Sequence, residues 1–424
     1  LVKNLPHSKV LHTIDEREQI CDNCGSTMVK VGEEFVRTEV QFIPAKLKVI
    51  DHYRETYECR SCRKNGTPYM EKAPVPYPPV LHSLASASTI TWLIHQKFEL
   101  SIPLYRQEKE WEALGLRLSR ATMSNWLLVV YRDWLVHIVH RLKLELLKQR
   151  YLHIDETHVQ VLKEPGRKNT SDSYMWVYCS IRDAVNPIRY FEYQPGRSGK
   201  YPEAFLREYE GYIHTDAYSG YNAVSGVKRC LCYTHLRRAF VDALPKDIHN
   251  SEASKPAEAI LRLNQLFNIE SELEALPPDQ KKKERLIREK PLLEAFWSWA
   301  EKSAIGELPK SKLSKAFHYA LNNREGFWNY LEDGNCSISN SLAENCIRPF
   351  VIGRKNWLFS GSPKGAEASA GIYTLVETAK ANGLAPMKYI KYILSDMPGS
   401  AFLEHPEYLD DYLPWNPLVK EFCR

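Results

Sequence analysis

The chain has 424 residues, more than one ordinary hydrophobic core accommodates, so about two to four domains are expected. Its 44% hydrophobic and 26% charged residues suit a soluble globular protein, and a net charge of +5 suits a polyanionic partner without demanding one. No apolar run reaches the roughly 18 residues that suggest a membrane span, no secretion signal opens the sequence, and ten cysteines are too few for a disulfide scaffold.

In chain order, residues 1–72 hold two C-x2-C pairs, Cys21/Cys24 and Cys59/Cys62. Paired thiols at this spacing predict a structural zinc site in a reducing compartment, with four thiolates leaving no open coordination position. A redox role lacks the βαβ context it needs. Between the pairs, EEFVRTEVQFIPAKLKVIDHYRETYEC alternates apolar and polar residues, which predicts a small sheet. Residues 73–81, with APVPYPPV, read as a proline-rich linker.

Residues 82–149 have helical spacing throughout, broken at Gly115, with Ser119 placed to cap the next helix. A helix, a glycine turn and a helix opening SRATMSNW resemble a helix-turn-helix, although any helical bundle contains such a turn. From residue 151 the period changes: YLHIDETHVQVL, SYMWVYCSIRD and PIRYFEYQ read as three antiparallel strands. A helix, the strand GYIHTDAY and the strand VKRCLC follow, which fits the first part of a ribonuclease-H-like α/β core over 150–235. Residues 236–335 read as an all-helical insertion, whose Lys281–Lys283 run suits a solvated helix face. Residues 336–395 complete the core, and 396–424, rich in proline, read as an extended tail.

Three acidic residues stand out. Asp155 lies in the strand YLHIDETHVQVL and Asp216 ends the strand GYIHTD; Glu344 falls early in a helix opening SNSLAEN, capped by Ser339 or Ser341. Alternation along the first strand points Glu156 away from Asp155. Two strand aspartates and a helix glutamate can converge on a pair of divalent metal ions, the arrangement suited to in-line attack on a phosphodiester. Arg348, Arg354, Lys355, Asn356 and Lys364 follow Glu344 and can clamp phosphates, while Trp357 and Phe359 either stack on an unpaired base or belong to the core. His235, Arg237 and Arg238 in CYTHLRRAF are further candidates for contact with DNA, His235 with a scissile phosphate or a metal. Cys230, Cys232 and His235 are close in sequence but no fourth zinc ligand is evident.

The paired cysteines, HIDET, HTDAYSGY, CYTHLRRAF and ENCIRPFVIGRKNWLFSGS together resemble the IS66-family transposases of bacterial insertion sequences, from residue 21 to about residue 395. The resemblance implies a multidomain α+β protein: a zinc-binding β domain, a helical domain, and a ribonuclease-H-like core with a helical insertion. It implies Asp155, Asp216 and Glu344 as a catalytic triad using Mg²⁺ or Mn²⁺, and Cys21, Cys24, Cys59 and Cys62 as ligands of structural Zn²⁺. It also implies double-stranded DNA as partner, both terminal inverted repeats and target, with 3′-end nicking and attack by the freed 3′-OH. Assembly as a homo-oligomer on DNA, accessory proteins of the same element and a place at the bacterial nucleoid in the cytoplasm are expected with it. Members usually carry further sequence before the finger. An inactive DNA-binding remnant and a nuclease that never joins ends are the competing expectations.

Overall fold

A computed structural model describes residues 8–13, 15–19, 21–38, 46–245 and 254–424. The chain divides into two units, residues 1–49 and 50–424. In the first, a short 3-10 turn, Glu16–Glu18, is capped by the Asp15 side chain. Next comes a tight knuckle: Cys21 N–H donates to Ser26 O (2.9 Å) and Gly25 N–H to Cys21 O (2.8 Å). Gly25 closes it at φ +70°, a conformation that a side chain disfavours.

The second unit opens with a two-stranded antiparallel ribbon, β1 (Thr56–Glu58) and β2 (Met70–Lys72), joined through the short helix α1 (Arg60–Lys64). The sheet expected between the cysteine pairs is smaller than its pattern implied. Residues 32–38 and 46–55 form no strand, and 39–45 lie outside the described residues. Val31, Phe35, Val36, Val49 and Ile50 are exposed, so the alternating pattern has no packed face to serve.

Helices α2 (Ala87–Ile94), α3 (Leu104–Ala113), α4 (Arg120–Val130) and α5 (Val136–Leu147) follow. Gly115, at φ +93°, makes the turn between α3 and α4, and the Ser119 hydroxyl accepts the Thr122 N–H (3.1 Å) as the N-cap. Ile90, Leu93, Trp111, Met123, Trp126 and Leu142 of these helices are buried in one core with Ile154, Val177 and Phe191 of the following sheet. The helix-turn-helix-like segment therefore packs against the sheet.

The sheet contains β3 (Tyr151–Val161), β4 (Asp172–Ser180), β5 (Arg189–Gln194), β6 (Gly211–Thr215), β7 (Val227–Leu231) and β8 (Phe359–Ser360). Its order is β5-β4-β3-β6-β7; β3, β4 and β5 are antiparallel neighbours, whereas β6 and β7 run parallel to β3. The helix α6 (Lys200–Phe205) lies in the crossover from β5 to β6. On the edge opposite β4, β3 pairs with β6 only over Tyr151–His153 and with β8 only at Gln160 and Val161. That leaves a gap beside residues 154–159, and the acidic residues gather there.

Helix α7 (Tyr233–Asp242) follows β7 and contributes Leu236 and Phe240 to a second core. That core belongs mainly to the expected insertion: α8 (Lys255–Glu272), α9 (Pro278–Glu284), α10 (Lys290–Ala304), α11 (Lys312–Asn322) and α12 (Arg324–Trp328). Of the lysine run, Lys282 and Lys283 are exposed and Lys281 pairs with Glu270 (3.4 Å). The chain then returns through α13 (Ser341–Trp357) and β8 to α14 (Pro363–Ala381), which covers β5. The Thr374 and Thr378 hydroxyls accept the Phe191 and Arg189 N–H groups (2.8 and 3.0 Å), joining α14 to the edge strand. The tail after α15 (Pro386–Asp396) is no extended arm. It ends in α16 (Pro417–Cys423), buries Phe402, Tyr412, Leu413 and Val419, and pairs Asp410 with Arg141 (2.6 Å). Its aromatic and aliphatic residues between the prolines supply the apolar area that docking needs.

Candidate active site

The parallel register pairs Leu152 with Ile213 and His153 with His214. Carried on by two residues, it sets Asp155 beside Asp216, where β6 has ended and the chain turns. The Asp155 carboxylate accepts the Glu156 N–H (2.9 Å), and Asp216 accepts the Tyr218 N–H (3.0 Å). Arg229 on β7 fixes the Asp216 turn: its guanidinium donates to the Thr215 hydroxyl (2.7 Å) and to the carbonyls of Asp216 (2.6 Å) and Tyr218 (2.8 Å).

Glu344 lies in the first turn of α13, its N–H bonded to Asn340 O (3.3 Å), where the helix dipole favours a carboxylate. Neither serine expected as cap holds that position; Asn340 does, and its side chain is used elsewhere. Its amide donates to Ile154 O (2.7 Å), its oxygen meets His153 Nδ1 (2.9 Å), and its backbone N–H reaches Cys232 Sγ (3.1 Å). One buried asparagine thus links the Glu344 helix to the strand of Asp155 and to the start of α7. Beneath it, the rings of His153 and His214 stack at 4.2 Å.

The electrostatics are those of an excess of acid. Burial lifts the Asp155 carboxyl to about 7, with further upward pushes from Glu156, Asp216 and Glu344. Glu156 is raised as well, chiefly by burial, and is held by Tyr221 and by Arg197 (2.5 Å). Arg197 also approaches Asp216 (3.8 Å) and lies over the Tyr218 ring (3.9 Å). Glu344 Oε1 is buried without a hydrogen-bond partner among the described residues. Asp155 feels the charges of Asp216 and Glu344 across the gap, and the three offer oxygen donors of the kind that a divalent cation takes.

The model of the transposase IS66 family matches residues 82–368, more than half of the chain and every element of this site. The chain belongs to the IS66 family of transposases. A second model, the zinc-finger binding domain of the IS66 transposase, matches residues 18–63 and takes in both cysteine pairs. Among curated relatives, the uncharacterized protein y4hP of Sinorhizobium fredii is 27% identical over 94% of this chain and 75% of its own length. The uncharacterized protein y4jD of the same organism is 26% identical over 98% of this chain and 81% of its own.

In this IS66-family chain the expected nucleic-acid residues divide into two groups. Arg238, Arg348, Lys355 and Lys364 are exposed. Arg348 follows Glu344 by one helical turn and Lys355 continues the same face of α13. The others make contacts within the protein. Arg354 donates to the Thr157 hydroxyl (2.9 Å) and to His158 O on the open edge of β3, and Arg237 to Asn264 (2.7 Å). Asn356 donates weakly to Ile352 O within its own helix (3.4 Å). Trp357 packs edge-on against Phe350, with ring centroids 5.4 Å apart, whereas Phe359 stays 45% exposed. His235 faces Glu344 (3.8 Å). Sequence reading missed Glu156, Arg197, Arg229 and Asn340. Only Asn340 carried a local signal, an Asx residue at a helix start.

The cysteine pairs belong to separate units, and each pair brings its two thiols together. In the first, the Ser26 N–H and then Cys21 favour the Cys24 thiolate, the form that binds zinc. In the second, Arg63 N–H bonds Cys59 O (3.1 Å) and Thr67 N–H bonds Cys62 O (3.0 Å), shaping a turn around the pair. No helix among the described residues is long and apolar enough to cross a membrane.

Proposed function

We propose that this transposase-family chain cuts DNA at the terminal inverted repeats of an insertion sequence and joins the freed 3′ ends to target DNA. Its core is read as ribonuclease-H-like, with Asp155, Asp216 and Glu344 as the triad. One observation carries the reading: a strand aspartate, a second aspartate at the end of the adjacent parallel strand and a helix glutamate gather at one gap in a mixed sheet. The sheet order and strand directions support that reading.

Asp155, Asp216 and Glu344 would hold Mg²⁺ or Mn²⁺, which would supply Lewis acidity for phosphodiester attack. The residues of the chain do the rest. Asn340 and Arg229 hold the elements bearing the carboxylates in register. Arg197 orients Glu156 and offsets the charge of Asp216. Arg348, Lys355 and Lys364 offer charge to the DNA backbone on the side to which α13 leads. The paired cysteines Cys21, Cys24, Cys59 and Cys62 are read as ligands of structural Zn²⁺.

The test is a nicking and strand-transfer assay on inverted-repeat DNA with Mn²⁺. Parental protein should nick and yield joined product, and Asp216→Asn should bind the DNA without nicking it. Nicking by that variant at the parental rate sinks the triad assignment. Cleavage that never produces joined DNA reduces the function to a nuclease.

A further inference from the structure

A second group of side chains touches the acidic centre and has different chemistry. Cys232 is the N-cap residue of α7, and His235 follows within its first turn. One ligand atom each from Cys232, His235 and Glu344 falls within 4.8 Å of the others. His235 Nδ1 is 3.8 Å from Glu344 Oε1, and neither atom has a hydrogen-bond partner among the described residues. His235 also meets the Cys232 thiol, and its Nδ1 and Glu344 Oε1 face one another beyond hydrogen-bond reach beside it, a gap that a bound ion would fill. The Asn340 N–H on Cys232 Sγ is the kind of supporting hydrogen bond that a metal-bound thiolate receives.

We propose that Cys232, His235 and Glu344 bind a thiophilic divalent ion of the zinc class, with the fourth position open. Bond lengths of about 2.0–2.3 Å to zinc put neighbouring ligand atoms roughly 3.3–3.8 Å apart, so small side-chain movements close the site. Sulfur and imidazole ligands select zinc-class ions over Mg²⁺, which prefers oxygen. The other cluster of similar make-up, His214, Cys230 and Cys336, differs in one decisive respect. His214 already uses both ring nitrogens, Nδ1 on Leu152 O (3.1 Å) and Nε2 on the Ser337 N–H (2.9 Å), so it has no lone pair to give. The proposed site needs no DNA chemistry to exist, but Glu344 makes it adjoin the triad. An ion seated there takes a carboxylate oxygen from the catalytic set.

The experiment is metal content and Co²⁺ substitution of the full chain, comparing parent, Cys232→Ser, His235→Asn and Cys230→Ser. After loading with Zn²⁺ and desalting, Cys232→Ser and His235→Asn should each hold one equivalent less than the parent, and Cys230→Ser the same as the parent. The Co²⁺ difference spectrum, parent minus Cys232→Ser, should show thiolate-to-metal charge transfer and tetrahedral d–d bands. Circular dichroism identifies a variant that fails to fold, and the two ligand variants report independently. Equal metal content and identical Co²⁺ spectra in parent and folded ligand variants overturn the site. Mn²⁺-dependent nicking is read separately, so the triad and this site can fail one without the other.

Discussion

The protein buries two groups of acids, and they are treated in opposite ways. In the helical insertion, Arg285 is fully buried and holds both oxygens of Glu270 (2.6 and 2.8 Å), while its other N–H groups reach the carbonyls of Tyr330, Asp333 and Cys336. Burial alone would raise the Glu270 carboxyl, but Arg285 pulls it below its ordinary value. At the gap in the sheet, Asp155, Glu156, Asp216 and Glu344 share Arg197 and the weakly placed His235. The Arg285–Glu270 pair satisfies itself and does a structural job, whereas the acids at the gap outnumber the cations beside them.

The largest effect that can break this contrast is on activity. Asp155→Asn should abolish Mn²⁺-dependent nicking yet melt no lower than the parent in metal-free buffer, because it removes a carboxyl crowded by other acids. Loss of both activity and stability, read by calorimetry, would make the site as structural as the insertion. Arg285→Met should do the reverse. Breaking a buried pair costs about 3–5 kcal/mol, seen in urea unfolding, while nicking per folded molecule is retained. Asn340→Ala lies between, since it strips partners from Ile154 O and His153 Nδ1. About 1–3 kcal/mol of stability should go, with nicking falling too as Glu344 loses its register.

A last effect concerns pH. Burial, then the Glu270 charge, lifts Glu289 to about 8 from its ordinary 4.5. The folded state therefore holds a proton that the unfolded chain releases near 4.5. This stabilisation is complete below that value, declines as pH rises, and is gone above about 8. Parental melting temperature should thus fall from pH 5 to pH 8.5 more steeply than that of Glu289→Gln. Parallel curves would mean that Glu289 is ionised in the fold.

Much of the candidate site's placement on strands and helix was legible because strand period is local. Tyr151–Val161 announced itself by β-branched and aromatic alternation, and Asp155 with it. Glu156 was not legible. Alternation put it across the strand from Asp155, but Arg197, on a later loop, and Tyr221 bring it into the same electrostatic group. Asn340 escaped for a similar reason: its partners are Ile154, His153 and Cys232, all more than a hundred residues away in sequence. The tail was misread because proline suggested extension, whereas burial of Phe402, Tyr412 and Val419 decides its path. Among the described residues between the cysteine pairs the reverse happened, and Val31, Phe35, Val36, Val49 and Ile50 of a strand-like pattern stay exposed.

Helix α13 is fastened to β3 near its start through Asn340, in its last turn through Arg354, and beyond its end through β8. Strand and helix therefore form a closed circuit of fixed length. Its 17 residues span about 25 Å, against roughly 20 Å of strand between Ile154 and Gln160. Adding or deleting a single codon inside Ser341–Trp357 would turn one fastening about 100° from the other, so this stretch of the gene should tolerate substitutions far better than changes in length.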